Sequence, residues 1–239
     1  MNYDTKLLDR KVISSDILVV SLDRPEQYKF RAGQFCFLNL YNIGIQDERG
    51  LRRHLSIASP PHEKELLFAT KISGSAFKQT LLKMPLGNII TIEPPLGTFT
   101  LPEETANPVI FIAGGIGITP FRSMVRHIAA AHTDHTVTLF YSNREPGEAV
   151  FLDELQSIAV THGKISLVPT MTKVDISTTK WSGLTGRLNA SMIQEDCKDW
   201  RDAIYFIAGH PKMSESMKEI LNEMDIQPDR IRVERFVGY

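Results

Sequence analysis

The chain has 239 residues, 27 basic and 28 acidic, for a formal net charge of −1; at about 100–200 residues per domain that gives one large domain or two modest ones. With 42% apolar and 23% charged residues it is neither disordered nor fibrous, and its balanced charge leaves no footprint for nucleic acid or an anionic membrane. Two cysteines, Cys36 and Cys197, argue against a disulfide framework and exclude a four-cysteine zinc or iron–sulfur site on this chain.

Met1 to Arg10 carries two acids, two bases and no apolar stretch, so it does not read as a signal peptide. The most apolar run, Val109 to Ile118, is about half the length of a membrane span. The expected address is the cytoplasm. Up to about residue 101, short β-rich runs alternate with turn chemistry: Val12 to Leu22, Gln34 to Leu40, Leu66 to Ile72 and Ile89 to Glu93. Strands at this spacing suggest an antiparallel barrel or sandwich, closed off by Pro94-Pro95 and Pro102.

After Asn107-Pro108 the rhythm changes. Val109 to Ala113 is a fully apolar strand, followed by a glycine-rich turn and a helix from Thr119 to about Ala131. Val137 to Tyr141, Ile165 to Thr170, Ile204 to Ala208 and Ile231 to Phe236 are further strands, with helices around Ala149 to Val160 and Met213 to Met224. Strands apolar on both faces, alternating with helices, require a parallel sheet covered on both sides. Two domains are expected, 1–103 and 104–239.

Three segments carry chemistry. Ala113-Gly114-Gly115-Ile116-Gly117-Ile118-Thr119-Pro120 follows a buried strand and opens a helix, where glycines let the backbone approach a phosphate and the helix N-terminus attracts it. A tight packing turn is the plainer reading of the same glycines. Arg53-His54-Leu55-Ser56-Ile57-Ala58-Ser59 offers a forked phosphate donor with short hydroxyls, although alone it also reads as a surface strand. Lys71 to Lys78 ends a strand in Ser73-Gly74-Ser75 and enters a helix, so its first N–H groups are available to an anion or simply capped.

Taken in order, these segments resemble the ferredoxin-NADP reductase superfamily. Arg53-x-Leu55-Ser56-x-x-Ser59 is similar to its flavin-binding R-x-Y-S-x-x-S pattern, Gly74-Ser75 to its second flavin-phosphate turn, and Pro95-Leu96-Gly97-Thr98-Phe99 to the segment before its domain junction. Gly114-Gly115-x-Gly117-x-Thr119-Pro120 resembles its nicotinamide signature. Tyr141-Ser142-Asn143-Arg144, with Phe151 to Leu155, resembles its adenosine segment, and Ala208-Gly209-His210-Pro211-x-Met213 its C-G-P-x-x-M turn.

The resemblance implies an FAD-binding antiparallel β-barrel followed by a parallel α/β domain binding NADPH or NADH. It also implies hydride transfer from nicotinamide to flavin N5 and electron delivery to a separate acceptor: a ferredoxin, a flavodoxin, an oxygenase component or a small oxidant. The protein's share is binding, orientation and exclusion of side reactions, which fits the lack of any nucleophile–base set. Arg53, helped by the Gly74-Ser75-Ala76 backbone, is implied to hold the flavin pyrophosphate. Ser56 would bond N5, Leu55 would cover the ring, and Ser59 would support the flavin loop and favour FAD over FMN. Gly114, Gly115, Gly117 and Thr119 would cradle the nicotinamide nucleotide. His54, Lys71, Pro120, Ser142, Arg144, Gly209 and Met213 are implied cofactor-binding positions, and Phe236 or Tyr239 would cover the other flavin face. The chain departs from the pattern at Leu55, Ala208 and His210, where tyrosine, cysteine and proline are usual. The absence of an acid before Glu145 favours NADPH. A monomer without metal is expected. An electron-transfer subunit of a larger complex, or a nucleotide sensor that has lost its flavin, are the competing readings.

Overall fold

The computed structural model describes residues 1–14, 16–41, 47–103, 106–174 and 180–236. Its first half holds six antiparallel strands: β1 (Tyr3–Ile13), β2 (Ile17–Asp23), β3 (Phe35–Leu40), β4 (Arg52–Ser56), β5 (Glu65–Lys71) and β6 (Ile89–Ile92). Their order is β4-β3-β6-β1-β2-β5. Just past β4 the Ala58 N–H donates to Leu67 O at 2.8 Å, so the two edges meet and the sheet curls into a barrel. Inward residues of the alternating strands, among them Leu7, Leu18, Val20, Leu38, Phe68 and Ile90, fill it; each removes about 1.5–3 kcal/mol worth of apolar surface from water.

The run Val12 to Leu22, expected as one strand, is a hairpin in which Ile13 pairs with Ile17. The polar residues between two apolar stretches make the turn, with Ser14 left-handed at φ 54°. β1 begins in the segment that lacks an apolar run because its outer face is largely exposed, and an outward face needs no apolar residues. A short helix, α1 (Ala76–Lys83), follows β5.

The second half alternates β7 (Val109–Gly114), α2 (Ile118–Ala131), β8 (Val137–Asn143), α3 (Leu152–Thr161), β9 (Ile165–Met171), β10 (Leu184–Thr185), α4 (Ala190–Asp196), β11 (Ile204–Gly209), α5 (Pro211–Glu223) and β12 (Ile231–Arg235). All its strand pairs are parallel, in the order β10-β9-β8-β7-β11-β12. Two of its elements, β10 and α4, lie outside the expected pattern. Both are short and amphipathic at most, and α4 is held by Asn189, whose side-chain oxygen accepts the Met192 N–H at 3.1 Å.

The chain leaves β7 towards β8 on one side and returns through β11 on the other, so the sheet reverses direction between β7 and β11. Open parallel sheets bind ligands beyond their strand C-termini at such a reversal. The barrel stands over that point. Phe99 and Leu101 share one core with Ile17, Val19 and Ala69 of the barrel, Phe111 and Phe206 of the sheet and Phe121 of α2. Arg122 donates to Ala58 O at 2.8 Å and Ser123 Oγ to Ser59 O at 2.7 Å, which ties α2 to the segment following β4.

Candidate functional site

Two adjoining clefts lie where the barrel meets the sheet. The first, of about 420 Å³, is lined by Arg49, Arg53, Leu55, Ser56, Phe77, Lys78, Thr119 and Phe236 among others. Its lining combines apolar side chains with three cations, Arg49, Arg53 and Lys78. Arg53 Nη1 donates to the carbonyls of Arg49, Gly50 and Arg52 at 2.8, 3.1 and 2.7 Å, which fixes the guanidinium against the loop before β4. Its Nη2 is buried without a hydrogen-bond partner among the described residues, as is Ser75 Oγ at the start of α1. Burial, reinforced by Arg53 and Arg49, pushes the Lys78 ammonium below its ordinary pKa. Orphaned donors crowded by cations at a helix N-terminus suit a phosphate diester chain, and the apolar part of the lining suits an aromatic ring system. The residues therefore fit FAD.

At the inner end, Ser56 is 7% exposed, and its Oγ donates to Glu234 Oε2 at 3.5 Å. Glu234 lies on β12, opposite Ala208 in the ladder. Burial pushes its carboxyl up to about 7, against a smaller lowering by the Ser56 hydroxyl. A carboxyl at that value holds a proton near neutrality and gives it up readily. On its far side Glu234 borders a third cavity of about 670 Å³, with Phe35, Thr98 and Arg232.

The second cleft, of about 260 Å³, is lined by Lys71, Gly114, Gly115, Ile116, Ser142, Asn143, Arg144, Glu148, His210 and Met213 among others. It adjoins the first at Ile116. Gly115 has φ +53° and open space where a Cβ would stand, so backbone and ligand can approach closely. Asn143 is buried, and neither side-chain polar atom has a hydrogen-bond partner among the described residues. Glu148 enters from the turn after β8, with Arg144 Nη1 at 3.8 Å and Lys71 Nζ at 4.0 Å from its carboxylate.

The structure thus gathers Arg53, His54, Leu55, Ser56, Thr119 and Phe236 at the first cleft, and Gly114, Gly115, Ser142, Arg144 and Met213 at the second. Several expected positions fall elsewhere. Lys71, an expected cofactor-binding position, lines the second cleft, at the end of β5. Gly117 is a packing residue: a Cβ there would stand 2.2 Å from Ala208 O. Gly209 packs on Met213 and Gly114, and Pro120 is buried in the first turn of α2. Ser59 is fully buried, its hydroxyl accepting the Leu67 N–H at 3.0 Å, so it braces the barrel seam. Gly74, Ser75 and Ala76 are absent from the cleft walls, and the Ala76 N–H donates to Asp47 Oδ2 at 2.7 Å. Tyr239 lies outside the described residues. His54 sits between Phe35 and Phe37, with ring centroids 5.5 and 5.6 Å away, and burial lowers its pKa. His210 caps α5, its Nδ1 accepting the Lys212 N–H at 3.3 Å.

Sequence reasoning missed Arg49, Phe77, Lys78, Glu148 and Glu234. The last was legible: in Ile231 to Phe236 every second residue shares a face, so Glu234 accompanies Phe236. Among the described residues, no group of three or more His, Cys, Asp or Glu could hold a metal ion, and no helix is long and apolar enough to cross a membrane.

Fold and clefts together define an antiparallel barrel packed on a parallel α/β sheet, with two adjoining clefts where they meet. Residues 111–219 match the family model of the oxidoreductase NAD-binding domain. Over 238 residues the chain is 21% identical to the reductase component 1 of terephthalate 1,2-dioxygenase from Comamonas sp., covering 98% of this chain and 68% of that one. It is 28% identical over 204 residues to an NAD(P)H-flavin reductase of Aliivibrio fischeri, covering 82% of this chain and 81% of that one. It spans 42%, 56% and 67% of three further reductase relatives. A ferredoxin NADP+ reductase from Neisseria gonorrhoeae, solved with bound FAD and NADP, superposes with a TM-score of 0.79 at 23% identity over 98% of both chains. The chain thus shares the overall fold of that reductase, and its second half carries an oxidoreductase NAD-binding domain.

Proposed function

We propose that this chain is an FAD-dependent NAD(P)H oxidoreductase that passes electrons to a separate acceptor. The observation that carries the reading is the adjacency of the two clefts, which share the wall residue Ile116, with Ser56 in the first backed by Glu234. Bound FAD would supply hydride acceptance from the nicotinamide and onward release of electrons. The chain's own residues supply the rest. Arg53, Lys78 and the α1 N-terminus bind phosphate, Leu55 and Phe236 exclude water from the ring site, and Gly114 and Gly115 admit the second nucleotide's phosphates. Ser56 positions a hydroxyl at the inner wall, and Glu234 holds the proton behind it. Orientation of two reactants in contact accounts for up to about 7–11 kcal/mol of a barrier, so no nucleophile is needed.

Between the nicotinamide nucleotides, Glu148 turns the expectation of NADPH towards NADH. A carboxylate accepts bonds from both hydroxyls of a ribose diol and repels a 2′-phosphate, and Arg144 is already engaged by it. The acceptor belongs to the class served by the relatives, whose names include dioxygenase and monooxygenase reductase components; this favours the reading in which the chain works as the electron-transfer component of such a system, as a cytoplasmic monomer between encounters. The reading of a flavin-less sensor has the orphaned Arg53 Nη2 against it. Anaerobic mixing of FAD-loaded protein with NADH and with NADPH tests the proposal. Bleaching of the flavin absorbance is expected with both, faster with NADH. Bound flavin that neither nucleotide bleaches overturns it.

A further inference from the structure

We infer that Asp47 is an internal anion seated in the flavin phosphate site, which an incoming flavin phosphate must displace. The inference rests on the flavin reading above and adds a residue that sets how strongly phosphate-bearing flavins are held. The N-terminus of α1 is capped in an unusual way. Its own N-cap residue, Ser75, makes no side-chain capping bond, and that hydroxyl is buried without a partner among the described residues. The first helical N–H, from Ala76, instead donates at 2.7 Å to Asp47 Oδ2, from a loop 29 positions earlier in the chain. The other carboxylate oxygen lies 3.9 Å from Arg53 Nη2, itself an orphaned donor. Asp47 therefore bridges the same two groups, helix N–H and guanidinium, that a phosphate would bridge. The Ala76 N–H, ahead of smaller help from the Arg49 N–H and Arg53, holds its carboxyl below the usual range.

A carboxylate is a poorer match to this seat than a phosphate. It carries one charge and leaves Ser75 Oγ and Arg53 Nη2 without hydrogen bonds, whereas a phosphate brings enough acceptor oxygens for both. Release costs the molecule little, because Asp47 is anchored independently: its Oδ1 accepts the Arg49 N–H at 2.9 Å and its carbonyl accepts the Gly50 N–H at 3.1 Å. The turn persists when Oδ2 leaves Ala76. A seat closed nine times in ten weakens apparent affinity about tenfold, and only for ligands that need the seat.

Equilibrium binding of FAD, FMN and riboflavin to the whole chain, by flavin fluorescence, tests this with wild type, Asp47→Asn and Asp47→Ala. Both variants are expected to bind FAD and FMN about tenfold tighter, with riboflavin, which lacks phosphate, unchanged. In stopped flow, the wild-type FAD association rate should level off with concentration, as opening becomes limiting, and the variants' should not. Unchanged or weaker FAD binding by Asp47→Asn, in protein whose melting temperature matches wild type, overturns the inference and makes Asp47 an ordinary cap. Tightening that extends equally to riboflavin also overturns it. If neither wild type nor variants bind any of the three flavins, the flavin reading itself falls, and the inference falls with it.

Discussion

The two phosphate cradles we propose for this molecule are built by opposite means. On the barrel side, charge comes from side chains: Arg53 on β4, Arg49 in the preceding loop and Lys78 on α1 converge from three segments. On the sheet side the wall is backbone, supplied by Gly114 and Gly115 at the end of β7, with Gly117 letting that turn pack on β11. The contrast shows that a side-chain cradle can be tuned, or held by an internal competitor such as Asp47, one residue at a time. A glycine cradle is set by chain geometry, so a change there is felt by the fold before it is felt by the ligand.

The largest expected effect tests the fold side of that contrast. In Gly117→Ala the new methyl would meet Ala208 O at 2.2 Å and Ala208 C at 2.5 Å, both backbone. Overpacking against atoms that cannot swing aside costs about 3 kcal/mol, which for a chain of this size lowers the melting temperature by about 6–12 °C. Calorimetry would check it, and an unchanged transition would mean the β7–β11 approach is looser than described. On the barrel side, Arg53→Ala, which loses three bonds to the loop before β4, should lower melting of the flavin-free protein less than Gly117→Ala does while weakening FAD. Loss of a charged donor costs about 1.5–3 kcal/mol, roughly 10- to 150-fold, read by fluorescence titration. Equal loss of stability and affinity would erase the distinction between the cradles.

Glu234 sharpens the comparison at the junction between them. Its pKa is raised from the ordinary 4.5 to about 7, so the folded state binds its proton more tightly than the unfolded chain does. That contribution to stability is complete below about pH 4.5 and is lost as pH rises through about 7. Glu234→Gln cannot ionise, so its melting temperature relative to wild type should rise between pH 5 and pH 8. A pH-independent difference would show that the carboxyl titrates normally. The smallest effect concerns selectivity. Glu148→Gln should raise the KM for NADH and lower that for NADPH by about fivefold each, on the order of 1 kcal/mol for a partly exposed charge. Arg144→Ala, losing the cation, should penalise NADPH more than NADH. Identical shifts for both nucleotides would place Glu148 away from the ribose.

What could be read from the chain alone follows from how each feature is encoded. The domain order, the parallel sheet and the glycine turn are local: apolar strands of β7, β8 and β11, and the residues Gly114 to Pro120, are contiguous and periodic. Ser56 and Arg53 were legible because they share one strand, and Phe236 because it ends another. The hairpin at Ser14 was hidden, since two apolar runs flank a turn of only polar residues, and the outward face of β1 has no apolar signature.

Other assignments were decided only by the fold. The role of Gly117 in packing depends on Ala208, ninety-one positions away. Lys71 reaches the second cleft from the end of β5, where it and Arg144 both approach the Glu148 carboxylate. The Ser56–Glu234 contact spans 178 positions, and the Asp47–Ala76 bond joins a loop to a helix across an intervening strand pair. Sequence periodicity reports which face of an element is buried. It carries no record of which distant element that face will meet, because that depends on how both domains pack into one shared core.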